Sequence, residues 1–183
     1  MKLTKKRIKQ IYKTLDGVTP LDYDCGKLCD EVCCVYDSKE YPNEDLAIYL
    51  LPGEELLFKN DDCFEIDYIS SREIKYPFSW NKVYYLRCIN PPHCNRSLRP
   101  IQCRTFPLIP HLTKDDEFHL IFDESEFPYK CPIIEDNLKL NEDFIKVTFK
   151  VWKQLLKNRF VYDLVAMDSR LRDNRKTDYE IVI

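Results

Sequence analysis

The chain has 183 residues, 32% of them charged, and a formal net charge of −3 at pH 7. That length suits one domain with its own hydrophobic core, and no apolar run approaches membrane-spanning length. A dedicated nucleic-acid binder needs a basic surface excess, which this charge balance excludes. The basic runs at Lys5, Lys6, Arg7 and Lys9 and at Arg170, Arg172, Arg175 and Lys176 read as solvated helix faces. With only three glycines, Gly17, Gly26 and Gly53, no phosphate-binding loop or dinucleotide fingerprint can be assembled, and no G-x-S-x-G nucleophile elbow is present.

The N-terminal stretch places Ile8, Ile11, Tyr12 and Leu15 at i, i+3, i+4 and i+7, the apolar stripe of a helix over 4–16 that Gly17 stops. From Thr19 to about Glu44 the chain is polar, cysteine-rich and broken by Pro20 and Pro42, which suits a loop organised by a metal better than one organised by burial. Residues 46–51 read as a short strand, Pro52-Gly53-Glu54-Glu55 as a turn into a short helix whose first turn favours proline and acids, and 64–69 and 83–87 as further strands. If Leu112 pairs with Phe118, a hairpin puts Phe106, Leu108 and Leu112 on one core face with Phe118, Leu120 and Phe122. The same register sets His111 opposite His119 on the other face, where cross-strand histidines are more often surface residues than ligands.

Asn141 is the expected N-cap of a helix with Glu142 and Asp143 in its first turn and a stripe of Phe144, Val147, Val151, Trp152, Leu155 and Leu156. A second helix, or a continuation, carries Leu164, Val165 and Leu171, so that helices fill about 141–173. The closing residues 179–183 read as a strand at a sheet edge or a subunit contact. Together these elements predict an α+β fold: a single domain over 1–183 with irregular cysteine-rich metal-binding loops, a β-hairpin and C-terminal helices.

Nine cysteines carry the chemistry: Cys25, Cys29, Cys33 and Cys34 in one group, Cys88, Cys94 and Cys103 in a second, then Cys131, with Cys63 between. A thiolate is a soft anionic ligand suited to zinc or iron–sulfur iron, and a four-sulfur shell needs short intervals between donors within each contributing loop. A disulfide framework fits less well. The cysteine count is odd, Cys33 and Cys34 are adjacent, and the N-terminus has no continuous apolar stretch that would serve for secretion. A cytoplasmic protein with reduced, metal-binding thiols is expected. His93, beside Cys94, stands as a spare ligand, and Cys63 reads as a buried free thiol.

The two groups read C-x3-C-x3-CC from Cys25 to Cys34, then Cys88-x5-Cys94-x4-Arg99-Pro100-x2-Cys103-Arg104-x-Phe106-Pro107. This combination resembles the CxxCxxCC cysteine-cluster family, also called YkgJ-like, regarded as zinc- or iron-chelating domains. Leu51-Pro52-Gly53-Glu54-Glu55 and Cys131-Pro132-Ile133 are similar to segments of its clostridial-type members, and the resemblance covers about 24–134. The commonest form of the family has two residues between the early cysteines, whereas this chain has three in each gap. The resemblance implies Cys25, Cys29, Cys33, Cys34, Cys88, Cys94, Cys103 and Cys131 as metal ligands.

It implies a ligand set, not a reaction. Four thiolates around zinc or an oxidised four-iron cluster leave about two negative charges, which Arg99 and Arg104 are placed to offset unless they serve instead to fix the loop. Three roles stay open: a zinc clasp for structure or protein interaction, an iron–sulfur centre for redox or electron transfer with a protein partner, and an enzyme distantly similar to flagellin lysine N-methylases. No membrane or nucleic-acid partner is expected.

Overall fold

Thr4 has an extended backbone and its side chain accepts from the Arg7 N–H at 3.4 Å, so the first helix, α1 (Lys5–Leu15), starts with a satisfied donor. Its buried stripe is Ile8, Ile11, Tyr12 and Leu15, as the periodicity predicts. The helix closes at Asp16, which stays right-handed and donates its N–H to Tyr12 O at 2.9 Å. A left-handed glycine stop at Gly17 is therefore not what ends it; Gly17 stands in open space. The computed structural model describes residues 1–35, 47–58, 63–89, 96–123, 125, 129–175 and 179–183.

A three-stranded antiparallel sheet follows, with β1 (Ile48–Tyr49), β2 (Phe64–Ser70) and β3 (Lys82–Cys88) in the order β1-β3-β2. Ile48 lies opposite Leu86, and Phe64 opposite Cys88. The turn after β1 leads into a short helix, residues Glu55–Phe58, and Gly53 of the turn takes φ +98°, where a β-carbon would stand 3.0 Å from the Leu3 carbonyl oxygen.

The second sheet is the expected hairpin, β4 (Leu108–Leu112) and β5 (Phe118–Phe122), with Leu112 opposite Phe118 and His111 opposite His119. Leu108, Leu112 and Leu120 are buried in the core, while Phe106 lies outside the strand and closes the short helix before it. The opposite face is not a surface. His111 is fully buried there, because the last helix packs on β4 and the C-terminal residues run beside β5. Leu120 N–H donates to Ile183 O and Leu120 O accepts from Val182 N–H, with a bridge between Ile121 and Ile181, so the chain end lies at a sheet edge.

Two long helices complete the α+β fold. The first, Glu142–Leu155, buries Phe144, Val151, Trp152 and Leu155, with Val147 and Leu156 half-buried. Asn141 stands at its N-cap without capping it; its Nδ2 donates instead to Thr19 O at 3.2 Å and its N–H to Pro20 O at 2.9 Å. That pair ties the helix start to the loop that carries the first cysteines. The last helix, Arg159–Arg175, is a separate element, because the side chain of buried Asn158 accepts from the N–H groups of Phe160 and Val161 and starts it afresh. Its core stripe is Val161, Leu164, Val165 and Ser169; Leu171 is exposed. Burying one such aliphatic side chain contributes about 1.5–3 kcal/mol. Among the described residues no helix is long and apolar enough to cross a membrane.

Candidate metal centre

The first cysteine loop is built around Gly26. Asp24 accepts from the Gly26 N–H at 3.3 Å and opens a 3-10 turn, Cys25–Leu28, and the N–H groups of Cys29 and Glu31 both return to Gly26 O. Asp30 and Glu31 then take φ 49° and 55°, two successive left-handed non-glycine residues, and the chain reverses into the short helix Val32–Val35. Each left-handed residue costs about 1–2 kcal/mol, less for aspartate. A β-carbon on Gly26 would come within 2.5 Å of Glu31 Cγ, so the glycine makes room for the folded-back Glu31 side chain. The reversal carries Cys29 and Cys33 round one tight bend.

Cys103 comes from a helix of a single turn, Ile101–Thr105, entered through Pro100, and its side chain faces solvent. Arg104 fixes this helix from beside the cysteine. Its Nε donates to Arg99 O at 2.6 Å, its Nη1 reaches the Asp16 carboxylate and Tyr12 O, and its guanidinium lies over the Tyr12 ring at 4.4 Å. Of the two roles open to this arginine, the geometry supports the loop-fixing one. Beneath it Glu54 is fully buried, accepting from Tyr12 OH at 2.6 Å, Ile101 N–H at 2.9 Å and Leu51 N–H at 2.7 Å. Burial raises the Glu54 pKa, while its three donors and Arg104 work the other way. This carboxylate therefore holds α1, the Pro52-Gly53 turn and the Cys103 helix together.

Cys131 precedes another single-turn helix, Pro132–Glu135, and its carbonyl accepts from Ile134 and Glu135. Burial pushes its thiol pKa up, the N–H groups of Ile133 and Ile134 favour the thiolate, and nearby Cys29 raises it again. Tyr129, two residues earlier, completes the arrangement. Its phenol pKa is raised by burial first, then by Cys33, Asp123, Cys103 and Cys131, which all lie within electrostatic reach of it. Three separate stretches of chain thus bring Cys33, Cys103 and Cys131 within electrostatic reach of Tyr129, and Cys29 within reach of Cys131.

Of the other expected ligands, Cys25 starts the 3-10 turn and Cys88 ends β3, both partly buried against the core. Cys34 belongs to the Val32–Val35 helix, but its side chain, like the whole of His93 and Cys94, lies outside the described residues. Cys63 is exposed, not buried, at the entry to β2. Cys29 and Cys131 carry free thiols. Among the described residues no three imidazole, thiol or carboxylate groups are already closed on one point, so a shared ion would have to draw these sulfurs inward.

Sequence reading missed Glu54 and Tyr129. Glu54 looks like one of two ordinary acids at a helix start, and only Glu55, which accepts from Gly53 N–H at 2.8 Å, behaves that way. Tyr129 had one signal, its place two residues before Cys131. No family model, no curated protein and no solved structure matches the chain.

Proposed function

We propose that the chain is a cysteine-ligated metal-binding protein holding zinc or an iron–sulfur cluster through Cys29, Cys33, Cys103 and Cys131. The observation that carries this reading is that Cys33, Cys103 and Cys131 lie within electrostatic reach of Tyr129, and Cys29 within reach of Cys131, although the segments are up to about a hundred residues apart. A thiolate set of this kind suits soft or borderline metals and has no comparable use for calcium or magnesium. The likeness of the cysteine pattern to the CxxCxxCC cluster family adds to it.

Two further features support the reading. The left-handed pair Asp30 and Glu31 is an energetic cost that a bond from both Cys29 and Cys33 to one centre would offset. Cys33 and Cys103 face solvent, so the centre is open to exchange with a partner, which favours redox or metal-handling work over a sealed structural clasp. Protonated thiols must lose their protons on binding, and the raised Cys131 thiol makes metal affinity climb with pH. Anaerobic purification with metal and acid-labile sulfide analysis tests the proposal. Iron with sulfide and a brown colour means a cluster, colourless protein with stoichiometric zinc means a zinc site, and a chain that takes up neither zinc nor iron and sulfide when each is supplied anaerobically rejects it.

A further inference from the structure

The hairpin register sets His111 directly opposite His119, on one face of the β4–β5 pair. Such partners have β-carbons about 4.5–5.5 Å apart, close enough for two imidazoles to converge on one ion. His111 is completely buried, and neither Nδ1 nor Nε2 has a hydrogen-bond partner. An imidazole always carries a polar atom at each nitrogen, so an apolar side chain would fill this place at lower cost. A buried group left in that state points to a missing partner.

The surroundings say what kind. Asp173 of the last helix brings Oδ1 to 3.8 Å from His111 Nε2, too far for a hydrogen bond. Two donors about 2.1 Å from one zinc stand about 3.4 Å apart at the tetrahedral angle, so an ion bridging these two needs them about 0.4 Å closer, and His119 must turn in as well, because the three groups are not already closed on one point. His119 is partly exposed, with Nε2 3.9 Å from Glu117 Oε2, and gives an ion a way in from solvent. The Tyr179 ring lies 4.3 Å from the His111 ring, tilted 45° to it. Arg172 is the one nearby cation among the described groups acting on His111; its Nη2 donates to Pro110 O at 3.1 Å, and its charge opposes a second positive charge on the imidazole. The carboxylates of Asp173 and Glu117 offset it.

We propose that His111, His119 and Asp173 bind a divalent, imidazole-preferring transition metal, zinc foremost, at a site separate from the thiolate centre, with water as the fourth ligand. The ion would pin the last helix to the hairpin from inside. The proposal stands whether or not the cysteines hold a metal.

Cobalt(II) and zinc titrations of the reduced full chain test it, because thiolate-bound cobalt gives an intense near-ultraviolet charge-transfer band and an imidazole–carboxylate site gives none. His119→Ala, at a partly exposed position, should lose about one equivalent of zinc while the thiolate band is kept. Asp173→Asn, nearly isosteric, should weaken the same equivalent at least about tenfold. In the unaltered chain, side-chain nitrogen NMR signals of His111 and His119 should shift together on adding zinc. Unchanged zinc binding in both variants, or histidine signals that do not respond to zinc, would overturn the proposal.

Discussion

The phenol of Tyr12 donates to the carboxylate of Glu54 across 2.6 Å inside the core, joining residues 42 positions apart. The carboxylate also takes the N–H groups of Leu51 and Ile101, so three donors depend on one buried side chain. Glu54→Ala should destabilise the chain by about 3 kcal/mol or more, since each orphaned buried donor costs about 1–3 kcal/mol. Tyr12→Phe should cost about 1–2 kcal/mol, because Glu54 keeps its backbone donors. Urea denaturation of both variants reads these values, and a Glu54→Ala midpoint equal to that of the unaltered protein would remove Glu54 from the account.

Gly26 and Glu31 form a second coupled pair. Gly26→Ala drives a β-carbon to within 2.5 Å of Glu31 Cγ and should cost about 1–3 kcal/mol by overpacking. Glu31→Gly relieves a left-handed residue but frees the unfolded chain, so alone it should be near neutral. In the double variant the clash has no partner. A double-mutant cycle should therefore return a favourable coupling of about 1 kcal/mol or more, and strict additivity would show that the loop is not closed through this contact.

Much of the fold was legible because its period was strong. The stripe of α1, the hairpin register and the stripe of the Glu142–Leu155 helix depend on apolar spacing that burial enforces, and all three stand where the spacing places them. The polar decisions were less legible. Asn141 reads as a cap and bonds instead to the loop at Thr19 and Pro20, while Asn158, which does cap a helix, lies in a run that gave no periodic signal. His111 reads as surface because alternation assumes one covered face, and the last helix covers the other. The candidate cysteines could be named from type and spacing, whereas which of them come near one another depends on the fold, which brings Cys33, Cys103 and Cys131 within electrostatic reach of Tyr129 and turns the first loop at Asp30 and Glu31.

Asp168 makes stability depend on pH. Burial lifts its pKa to about 6, with Asp123 adding to the rise and Arg172 opposing it. A carboxyl raised in the folded state binds its proton more tightly there, so its contribution is full below the unfolded value near 3.8 and is lost as pH rises through about 6. The loss is on the order of 2–3 kcal/mol. Asp168→Asn should flatten this part of the stability profile between about pH 4 and 6. A variant whose profile parallels that of the unaltered chain across this window would show that Asp168 titrates normally.

If thiols from separate segments share one metal, the metal content per chain of cysteine variants reveals it. Serine is a harder donor that stays protonated near neutral pH, so it replaces a thiolate poorly. Cys103→Ser and Cys131→Ser, prepared anaerobically, should each lose the thiolate-bound metal although Cys103 lies in one single-turn helix and Cys131 precedes another. Cys63→Ser, at the entry to β2, should keep it. Full metal in both the Cys103 and the Cys131 variants, or equal loss in all three, would mean that these thiols do not share an ion.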